Sequence, residues 1–264
     1  MSGSYGLSGK RVVVTAASSG IGFGAAEAFL EEGSRVVINS SNSERLSRAQ
    51  KKLAKKGEVH PVVADLTKEK DMDRIVSESV KLLGGIDSFV YVTGPPTPGT
   101  FLENDYAAWK QAADLMTISP AYLGRLVALE MIRSKVKGNM VFLGSITMRE
   151  PALNIAVSGI CRIAVSGLVR TLARELGKNG IRVNGILPGY IDTARVQEIF
   201  KDKAVREKIS ESEAQRDLVR EIPMGRLGTT AELAQVVLFL ASERSSYVSG
   251  ALIPVDGGYL RSSV

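Results

Sequence analysis

The sequence predicts a doubly wound α/β domain built on one parallel sheet of about seven strands. Two observations lead to this prediction. Strand-like and helical segments alternate along the whole chain, and the first strand-like run breaks into a small-residue turn that opens a helix. Because each helix returns the chain beside the preceding strand in the same direction, such alternation builds a parallel sheet with helices on both faces. The 264 residues suffice for one such domain, so we expect residues 1–264 to form a single unit.

The elements follow from apolar patterning and from turn residues. Strand-like runs rich in β-branched residues are found at 12–14, 35–39, 58–63, 87–92, 139–144, 181–186 and 251–255. Helical stretches are predicted at 20–32, 44–56, 68–83, 103–135, 151–178 and 230–241. The polar stretch 194–229 interrupts this alternation after a strand end, on the side where open α/β sheets bind ligands. We interpret it as a lid over a substrate, with a surface excursion as the alternative.

The composition of the chain argues against several classes of protein. The single cysteine, Cys161, excludes a disulfide framework and a CxxC metal or redox motif, which predicts no metal site and a cytoplasmic location. The sequence shows neither an apolar run of membrane-spanning length nor a signal-peptide pattern, so we expect no membrane association. The net charge is +6, but the lysines at 51–56 are spaced as on a solvated helix face. No nucleic-acid reader motif accompanies this charge, so we expect no nucleic-acid partner.

Residues 11–22 have the pattern of a dinucleotide-binding loop. A buried strand is followed by Gly20 and Gly22, which let the backbone approach a pyrophosphate at the N-terminus of a helix. Ser18 and Ser19 add hydroxyl donors. The same pattern also occurs in tight strand-to-helix turns that bind no ligand. Other parts of the sequence are therefore needed to distinguish a dinucleotide-binding loop from such a turn.

The end of the second strand favours NADP over NAD. Ser40, Ser41 and Asn42 occupy the place where a dinucleotide fold recognises the adenosine ribose, and no acid stands there. A carboxylate would bind two ribose hydroxyls and repel a 2′-phosphate, whereas hydroxyls, an amide and the nearby Arg45 accept a phosphate. We therefore expect NADP as the cofactor, with NAD as the alternative.

With these elements in place, the chain resembles a short-chain dehydrogenase/reductase from Lys10 to about Tyr259. The matching pieces are TGxxxGIG at 15–22, Asp65-Leu66 after the third strand, Gly94 after the fourth and Ser145 after the fifth. They continue with Asn184, PGxxxT at 188–193 and the sequence VDGG at 255–258. Together with the reading of the second strand, the resemblance implies a Rossmann dinucleotide fold and these cofactor-binding residues: Thr15, Ala17, Ser18, Ser19, Gly20, Ile21, Ser40, Ser41, Asn42, Asp65, Leu66, Thr93, Gly94, Arg162, Pro188, Gly189, Ile191 and Thr193.

The catalytic set departs from the family pattern. In the family, a serine is followed thirteen positions later by a tyrosine and four positions further by a lysine. Counting from Ser145 gives Ser158 and then Arg162, and no tyrosine occurs between Tyr122 and Tyr190. The family's helical asparagine is also missing near 116–118. The chain therefore resembles a divergent subgroup near the 3-oxoacyl carrier-protein reductases that lacks this tyrosine and lysine. Its candidate catalytic residues are Ser145, Ser158 and Arg162.

Four other residues bear on the site. Ala16 replaces the first glycine of the phosphate turn, and we expect it to serve there only with ordinary backbone dihedrals. Tyr190 and Tyr91 are candidates for a relocated acid, although aromatic side chains at strand ends usually pack. His60, the only histidine, is interpreted as structural.

Three functions remain open at this point. The first is an NADP-dependent reductase or dehydrogenase of a small carbonyl or alcohol substrate. The second is a nucleotide-binding protein without turnover, and the third is a lyase or isomerase. Serine is a weaker acid than tyrosine and arginine does not enter a proton relay, so any redox activity is expected to be slow. The long apolar helices predict a homodimer or homotetramer, through Leu126, Leu129, Met131, Ile163, Leu168 and Leu172.

Overall fold

The computed structural model describes residues 5–96 and 99–262. Among these residues, seven parallel strands form one sheet in the order β3-β2-β1-β4-β5-β6-β7. The strands are β1 (Arg11–Val14), β2 (Arg35–Ser40), β3 (Val59–Val63), β4 (Ser88–Tyr91), β5 (Asn139–Leu143), β6 (Arg182–Pro188) and β7 (Leu252–Val255). The strand order reverses between β1 and β4, where open α/β sheets form a ligand crevice. The predicted doubly wound parallel sheet is confirmed.

Helices cover both faces of the sheet. They are α1 (Gly20–Glu31), α2 (Ser43–Leu53), α3 (Glu69–Leu83), α4 (Tyr106–Ala113), α5 (Ser119–Arg133), α6 (Ala156–Leu176), α7 (Ala194–Glu207), α8 (Glu211–Arg220) and α9 (Thr230–Ala241). One face packs against α1, α2 and α9, and the other against α3, α5 and α6. Val12 and Val14 belong to the first of these cores and Val13 to the second. Burial on both faces explains why the strands are continuously apolar.

Two predicted helices differ from the structure. The stretch 103–135 is not one α-helix, because a π-helical turn at Asp114–Ile118 separates α4 from α5. In this turn, the Thr117 hydroxyl donates to the Cys161 carbonyl at 2.9 Å, which holds the turn against α6. The stretch 151–178 becomes α-helical only at Ala156, since Asn154 has a left-handed φ of 63° and Ile155 pairs with Gly99.

The long helical stretches around α5 and α6 differ from the expectation that nothing reaches membrane-spanning length. Tyr106–Arg133 and Ala156–Asn179 are long and apolar enough to cross a membrane by length and composition alone. In the fold, α5 and α6 pack against the sheet through one face. Of the residues predicted for an oligomer surface, Leu129 and Ile163 are exposed, whereas Met131 lies in the core. The outer faces of the two helices are therefore uncovered apolar surface in the single chain.

The segment after β6 contains its own small core. The predicted lid 194–229 consists of α7 and α8 followed by a turn. The two helices and the turn pack together through Val196, Phe200, Ala204, Ala214, Leu218 and Ile222. A capping box at Ser210, in which the Glu213 carboxylate accepts a hydrogen bond from the Ser210 N–H, fixes the start of α8. The pair is thus a preformed unit beside the carboxyl end of β6.

Candidate active site

A cavity of about 310 Å³ opens at the carboxyl ends of β4, β5 and β6, beside the start of α1. All three predicted catalytic residues line it, namely Ser145, Ser158 and Arg162. Nine other predicted cofactor residues also line it: Ser19, Gly20, Ile21, Thr93, Gly94, Pro188, Gly189, Ile191 and Thr193. The remaining predicted residues do not line this cavity: Thr15, Ala17, Ser18, Ser40, Ser41, Asn42, Asp65 and Leu66.

Two helix N-termini meet at the cavity. The N-cap of α1 is Ser19 and that of α7 is Thr193, and neither side chain caps its helix. Neither first turn contains an acidic residue. A Cβ on Gly20 would stand 3.6 Å from Cγ2 of Thr193, so the two helix starts are in contact. Uncapped N–H groups and two converging dipoles suit an anion, and a dinucleotide pyrophosphate fits this arrangement.

The turn before α1 has a backbone geometry that the sequence did not indicate. Ala16 adopts a left-handed φ of 46°, contrary to the expectation of ordinary dihedrals, and Gly20 has a φ of 57°. A Cβ on Gly22 would stand 2.6 Å from the Ala16 carbonyl oxygen. The turn therefore closes tightly on the first turn of α1, and Ala16 bears a left-handed conformation that costs about 1–2 kcal/mol for a residue with a Cβ.

Thr15 and Ala17 shape the turn from within the fold. The Thr15 hydroxyl donates to the Val92 carbonyl at 2.6 Å and accepts from the Val92 N–H at 2.8 Å, which joins β1 to the end of β4. The Ala17 N–H donates to the Asn39 carbonyl at 2.8 Å. Sequence reasoning missed Asn39, whose buried amide donates to two carbonyls at the end of β3. These residues position the turn and are buried away from the cavity.

The end of β2 lies beside the phosphate turn. The Ser18 hydroxyl donates to Oγ of Ser40 at 3.1 Å, and Ser40 in turn accepts from the Asn42 N–H at 3.2 Å. Asn42 caps α2 by accepting from the Arg45 N–H at 2.8 Å. Ser41 is exposed. A donor-rich edge without a carboxylate therefore borders the turn, as the sequence indicated.

The predicted adenine contact stands at the end of β3. Asp65 accepts from both the N–H and the hydroxyl of Thr67, and its own N–H donates to Asp71 at 2.7 Å. Leu66 is buried. The turn is thus fixed by the Asp65 carboxylate itself.

Ser145 is held at the end of β5 with its proton available. Its Oγ accepts from the Thr147 N–H at 3.2 Å and from the Thr147 hydroxyl at 2.9 Å. Among the described residues, no acceptor takes the hydrogen of the Ser145 hydroxyl. Thr147, which sequence reasoning missed, thus orients Ser145 as a donor toward a ligand oxygen.

Ser158 and Arg162 form a pair on α6. They stand one helical turn apart, and Nε of Arg162 donates to Oγ of Ser158 at 3.1 Å. Burial lowers the pKa of the Arg162 guanidinium, which nevertheless stays charged because its ordinary value is above 12. Within residues 5–96 and 99–262, no carboxylate lies within 4.0 Å of it. Among the described residues, the site therefore contains a partly buried cation that lacks a protein counter-ion.

Neither candidate for a relocated acid has the required properties. The Tyr91 hydroxyl donates to the Leu115 carbonyl at 2.7 Å and also contacts Ser119, and burial raises its pKa to about 12. Tyr190 lines the cavity, but its ring packs edge-on against that of Tyr259, with 5.2 Å between the ring centroids. Burial raises the pKa of Tyr190 as well, which makes it a weaker acid. Both tyrosines therefore act as packing residues.

His60 lies on β3, outside the cavity lining. Its Nε2 is 2.9 Å from a carboxylate oxygen of Glu58, and Arg35 pairs with the same carboxylate at 2.7 Å. The hydrogen bonds from Arg35 and then from His60 hold the pKa of Glu58 down at about 2. This arrangement supports the structural interpretation of the histidine.

Comparisons with known proteins agree with this architecture. The family described as enoyl-(acyl carrier protein) reductase matches residues 15–260. Glucose 1-dehydrogenase of Gluconobacter oxydans is 32% identical over 254 residues, which cover 96% of this chain and 92% of that protein. Human dehydrogenase/reductase SDR family member 4 is 32% identical over 254 residues, covering 96% of this chain and 88% of that protein.

Solved structures show the same similarity. L-sorbose reductase from Gluconobacter frateurii, complexed with NADPH and L-sorbose, superposes with a TM-score of 0.91 at 30% identity, covering 97% of this chain and 98% of that one. Levodione reductase superposes with a TM-score of 0.90 at 26% identity, covering 95% of this chain and 97% of that one. The chain belongs to the short-chain dehydrogenase/reductase family.

Proposed function

We propose that the protein is an NADPH-dependent oxidoreductase that reduces a small carbonyl compound. The observation that supports this most directly is the convergence of Ser145, Ser158 and Arg162 on the cavity that begins at the phosphate turn. The similarity to L-sorbose reductase, a protein solved with NADPH and L-sorbose, supports both the cofactor and the small size of the substrate.

In this proposal, the cofactor lies across the crevice between β1 and β4. Gly20, Ile21 and Thr193 hold the pyrophosphate through the two uncapped helix N-termini. The 2′-phosphate lies at the edge formed by Ser18, Ser40, Ser41 and Asn42, while Asp65 and Leu66 contact the adenine. The nicotinamide end occupies the cavity against Thr93, Gly94, Pro188, Gly189 and Ile191.

The residues of the site favour stabilisation of an oxyanion over direct protonation. NADPH, when bound, supplies a hydride, and a carbonyl compound plus NADPH plus a proton becomes an alcohol plus NADP. Ser145 and Ser158 donate hydrogen bonds to the substrate oxygen, whose negative charge grows as the carbonyl carbon accepts the hydride. The positive charge of Arg162 stabilises the same oxygen. Since neither serine nor arginine releases a proton readily, the proton comes from water.

Further features belong to the same proposal. The protein is a member of a divergent subgroup near the 3-oxoacyl carrier-protein reductases, and residues 194–229 act as a lid over the substrate. It works in the cytoplasm as a homodimer or homotetramer. The exposed Leu129 on α5 and Ile163 on α6 support the oligomer, because a single chain leaves this apolar surface uncovered.

A second function is favoured by one observation, the absence of a tyrosine and a lysine at the family's spacing from Ser145. The protein would then bind NADPH without turnover and act as a sensor or partner. The same cavity, without redox turnover, could also serve a lyase or isomerase reaction.

The decisive experiment follows NADPH absorbance in the presence of ketones, aldehydes and enones. We expect slow oxidation with at least one of these compounds. Ser145→Ala should lower kcat by about 10²-fold, the order of magnitude for loss of one oxyanion donor. The matched control Ser77→Ala removes an exposed hydroxyl on α3 and should leave kcat unchanged. Binding of NADPH without oxidation by any compound would favour the second function.

A further inference from the structure

The charged groups of the cavity are all of one sign. Among the described residues that line it, Arg162 and Arg195 are the only charged side chains, and no aspartate or glutamate is present. The rest of the wall at the substrate end is largely apolar, with Val92, Pro95, Pro96, Ile146, Ile155 and Ile199. An apolar cavity with two guanidinium groups recognises an anion that has an apolar body.

The two Nη groups of Arg162 are available as hydrogen-bond donors. Its Nε is used by Ser158, and among the described residues no other partner is found for its two Nη groups. Arg162 is partly buried, and a cation withdrawn from water without a counter-ion is unfavourable, so a ligand that supplies a carboxylate offsets this cost. The planar fork of a guanidinium matches both oxygens of a carboxylate.

The positive charge of Arg195 stands in an electrostatically unfavourable position. It stands in the first turn of α7, where the helix dipole disfavours a cation. Its ion pair is with Glu198 at 3.0 Å, a residue whose side chain is 59% exposed and does not line the cavity. Its charge also adds to the lowering of the pKa of Arg162, after the larger effect of burial. Two positive charges that repel each other across one cavity are both stabilised by an anion between them.

The cofactor pyrophosphate does not account for both arginines. The two uncapped helix N-termini already offer that group backbone donors at Gly20 and Thr193. Arg162 instead stands on α6 beside Ser158, in the part of the cavity that contains the proposed oxyanion donors.

We propose that the substrate is an oxo acid with an apolar side chain, whose carboxylate is bound by Arg162 and Arg195. This inference rests on the proposed function, since the reacting carbonyl is the one held by Ser145 and Ser158. In a 2-oxo acid, the carbonyl is adjacent to the carboxylate, so one small molecule satisfies both groups of donors. Arg195, in the first turn of α7, contacts the same carboxylate from a second element of the cavity wall.

Binding provides a test that does not require turnover. The protein is saturated with NADP and titrated calorimetrically with 4-methyl-2-oxopentanoate, with its neutral amide and with dihydroxyacetone phosphate. We expect the acid to bind at least tenfold more tightly than the amide. The variant Arg195→Gln should remove most of this difference while the affinity for NADPH stays within about twofold. The control Arg206→Gln, on the exposed part of α7, should change neither value.

Each other outcome has a definite meaning. Equal affinities for the acid and the amide in a protein that binds NADPH would overturn the inference and leave the proposed function intact. A phosphate ester that binds more tightly than the acid would assign the arginines to a phosphate. Loss of NADPH affinity in Arg195→Gln, with the preference for the acid unchanged, would assign Arg195 to the cofactor. Failure of the unaltered protein to bind NADPH at all would contradict the proposed function itself.

Turnover gives a second measure of the same contact. We expect the acid to have a lower KM than the amide, and Arg195→Gln to raise that KM at least tenfold with less than a threefold change in kcat. Arg162→Gln tests the second arginine, and its folding is checked by circular dichroism against Arg170→Gln on the exposed face of α6. A fall in kcat without a change in KM would contradict a binding role for Arg195.

Discussion

Nε of Arg162 donates to Oγ of Ser158 across one turn of α6, at 3.1 Å. Counted from Ser145, the pair falls at the two positions where the sequence resemblance predicts the family's tyrosine and lysine, four residues apart on the helix. It does not preserve their chemistry, because neither group is a usable acid near neutral pH. It offers a hydroxyl donor that is backed by a positive charge, a combination that stabilises an oxyanion.

The edge at Ser40 predicts the choice of cofactor. We expect NADPH to bind more tightly than NADH, because hydroxyl and amide donors border the phosphate turn and residues 40–42 contain no carboxylate. Ser40→Asp should weaken NADPH binding at least tenfold and shift the preference toward NADH. Calorimetric titration with both nucleotides measures this. The control Ser43→Asp places a charge on the first turn of α2 and should leave the preference unchanged.

Equal affinities of the unaltered protein for the two nucleotides would contradict the assignment of this edge to the 2′-phosphate. A shift of similar size in Ser43→Asp would mean that any added negative charge in the region acts at long range, and that Ser40 has no specific contact.

Ala16 predicts a change in stability. Its φ of 46° is unfavourable for a residue with a Cβ but not for glycine. Ala16→Gly should therefore stabilise the fold by about 1 kcal/mol, which corresponds to a rise in Tm of roughly 2–4 °C in a protein of this size. Ala17→Gly, at the neighbouring buried position, removes a packed methyl group without relieving a left-handed φ and should lower Tm. Thermal unfolding by circular dichroism distinguishes the two variants, and a lower Tm for Ala16→Gly would refute the strain.

The fold was predictable because its signals are local and repeated. The strands are short, mostly apolar runs, the helices have apolar faces, and the alternation of the two along the chain dictates parallel order. The break in 103–135 was not predictable in the same way. The π-helical turn there is held by Thr117 and the Cys161 carbonyl, a contact between residues 44 positions apart. Local patterning contains no information about such a contact.

In the site, too, some residues were predictable from the sequence and others were not. Gly20, Thr193 and Ser145 were predictable from their order and spacing, and all three line the cavity. The left-handed backbone of Ala16 was not, because it depends on the close approach of Gly22 and on contacts with Asn39. Arg195 was within reach of the sequence, since it stands two residues after Thr193 and thus at the same helix start. Because the stretch 194–229 contains many other charged residues, the sequence alone did not single out Arg195.

The outer faces of α5 and α6 predict assembly. Ile163 is 49% exposed and Leu129 50% exposed, on helices whose inner faces already cover the sheet. We expect light scattering at micromolar concentration to give the mass of a dimer or tetramer of the 28.3 kDa chain. Ile163→Glu should dissociate it, whereas Val205→Glu, at a 79% exposed position on α7, should not. A monomeric mass for the unaltered protein would show that these side chains face solvent.

Introducing a tyrosine and a lysine on α6 tests whether the fold still positions these groups for catalysis. In Ser158→Tyr combined with Arg162→Lys, a phenol and an ammonium group would stand one turn apart on α6, in the cavity that Ser145 also lines. General acid catalysis typically contributes about 10²–10⁴-fold, so we expect kcat to rise by at least tenfold with neutral ketones that the parent reduces slowly. The same variant loses the Arg162 fork, and we therefore expect its preference for oxo acids over their amides to fall. Kinetics with one matched acid and amide measure both effects together.

An unchanged kcat with NADPH binding intact would favour a protein that binds the cofactor without turnover. Loss of the parent activity would show that Ser158 and Arg162 perform a chemistry of their own, one that an acid and an ammonium group do not replace.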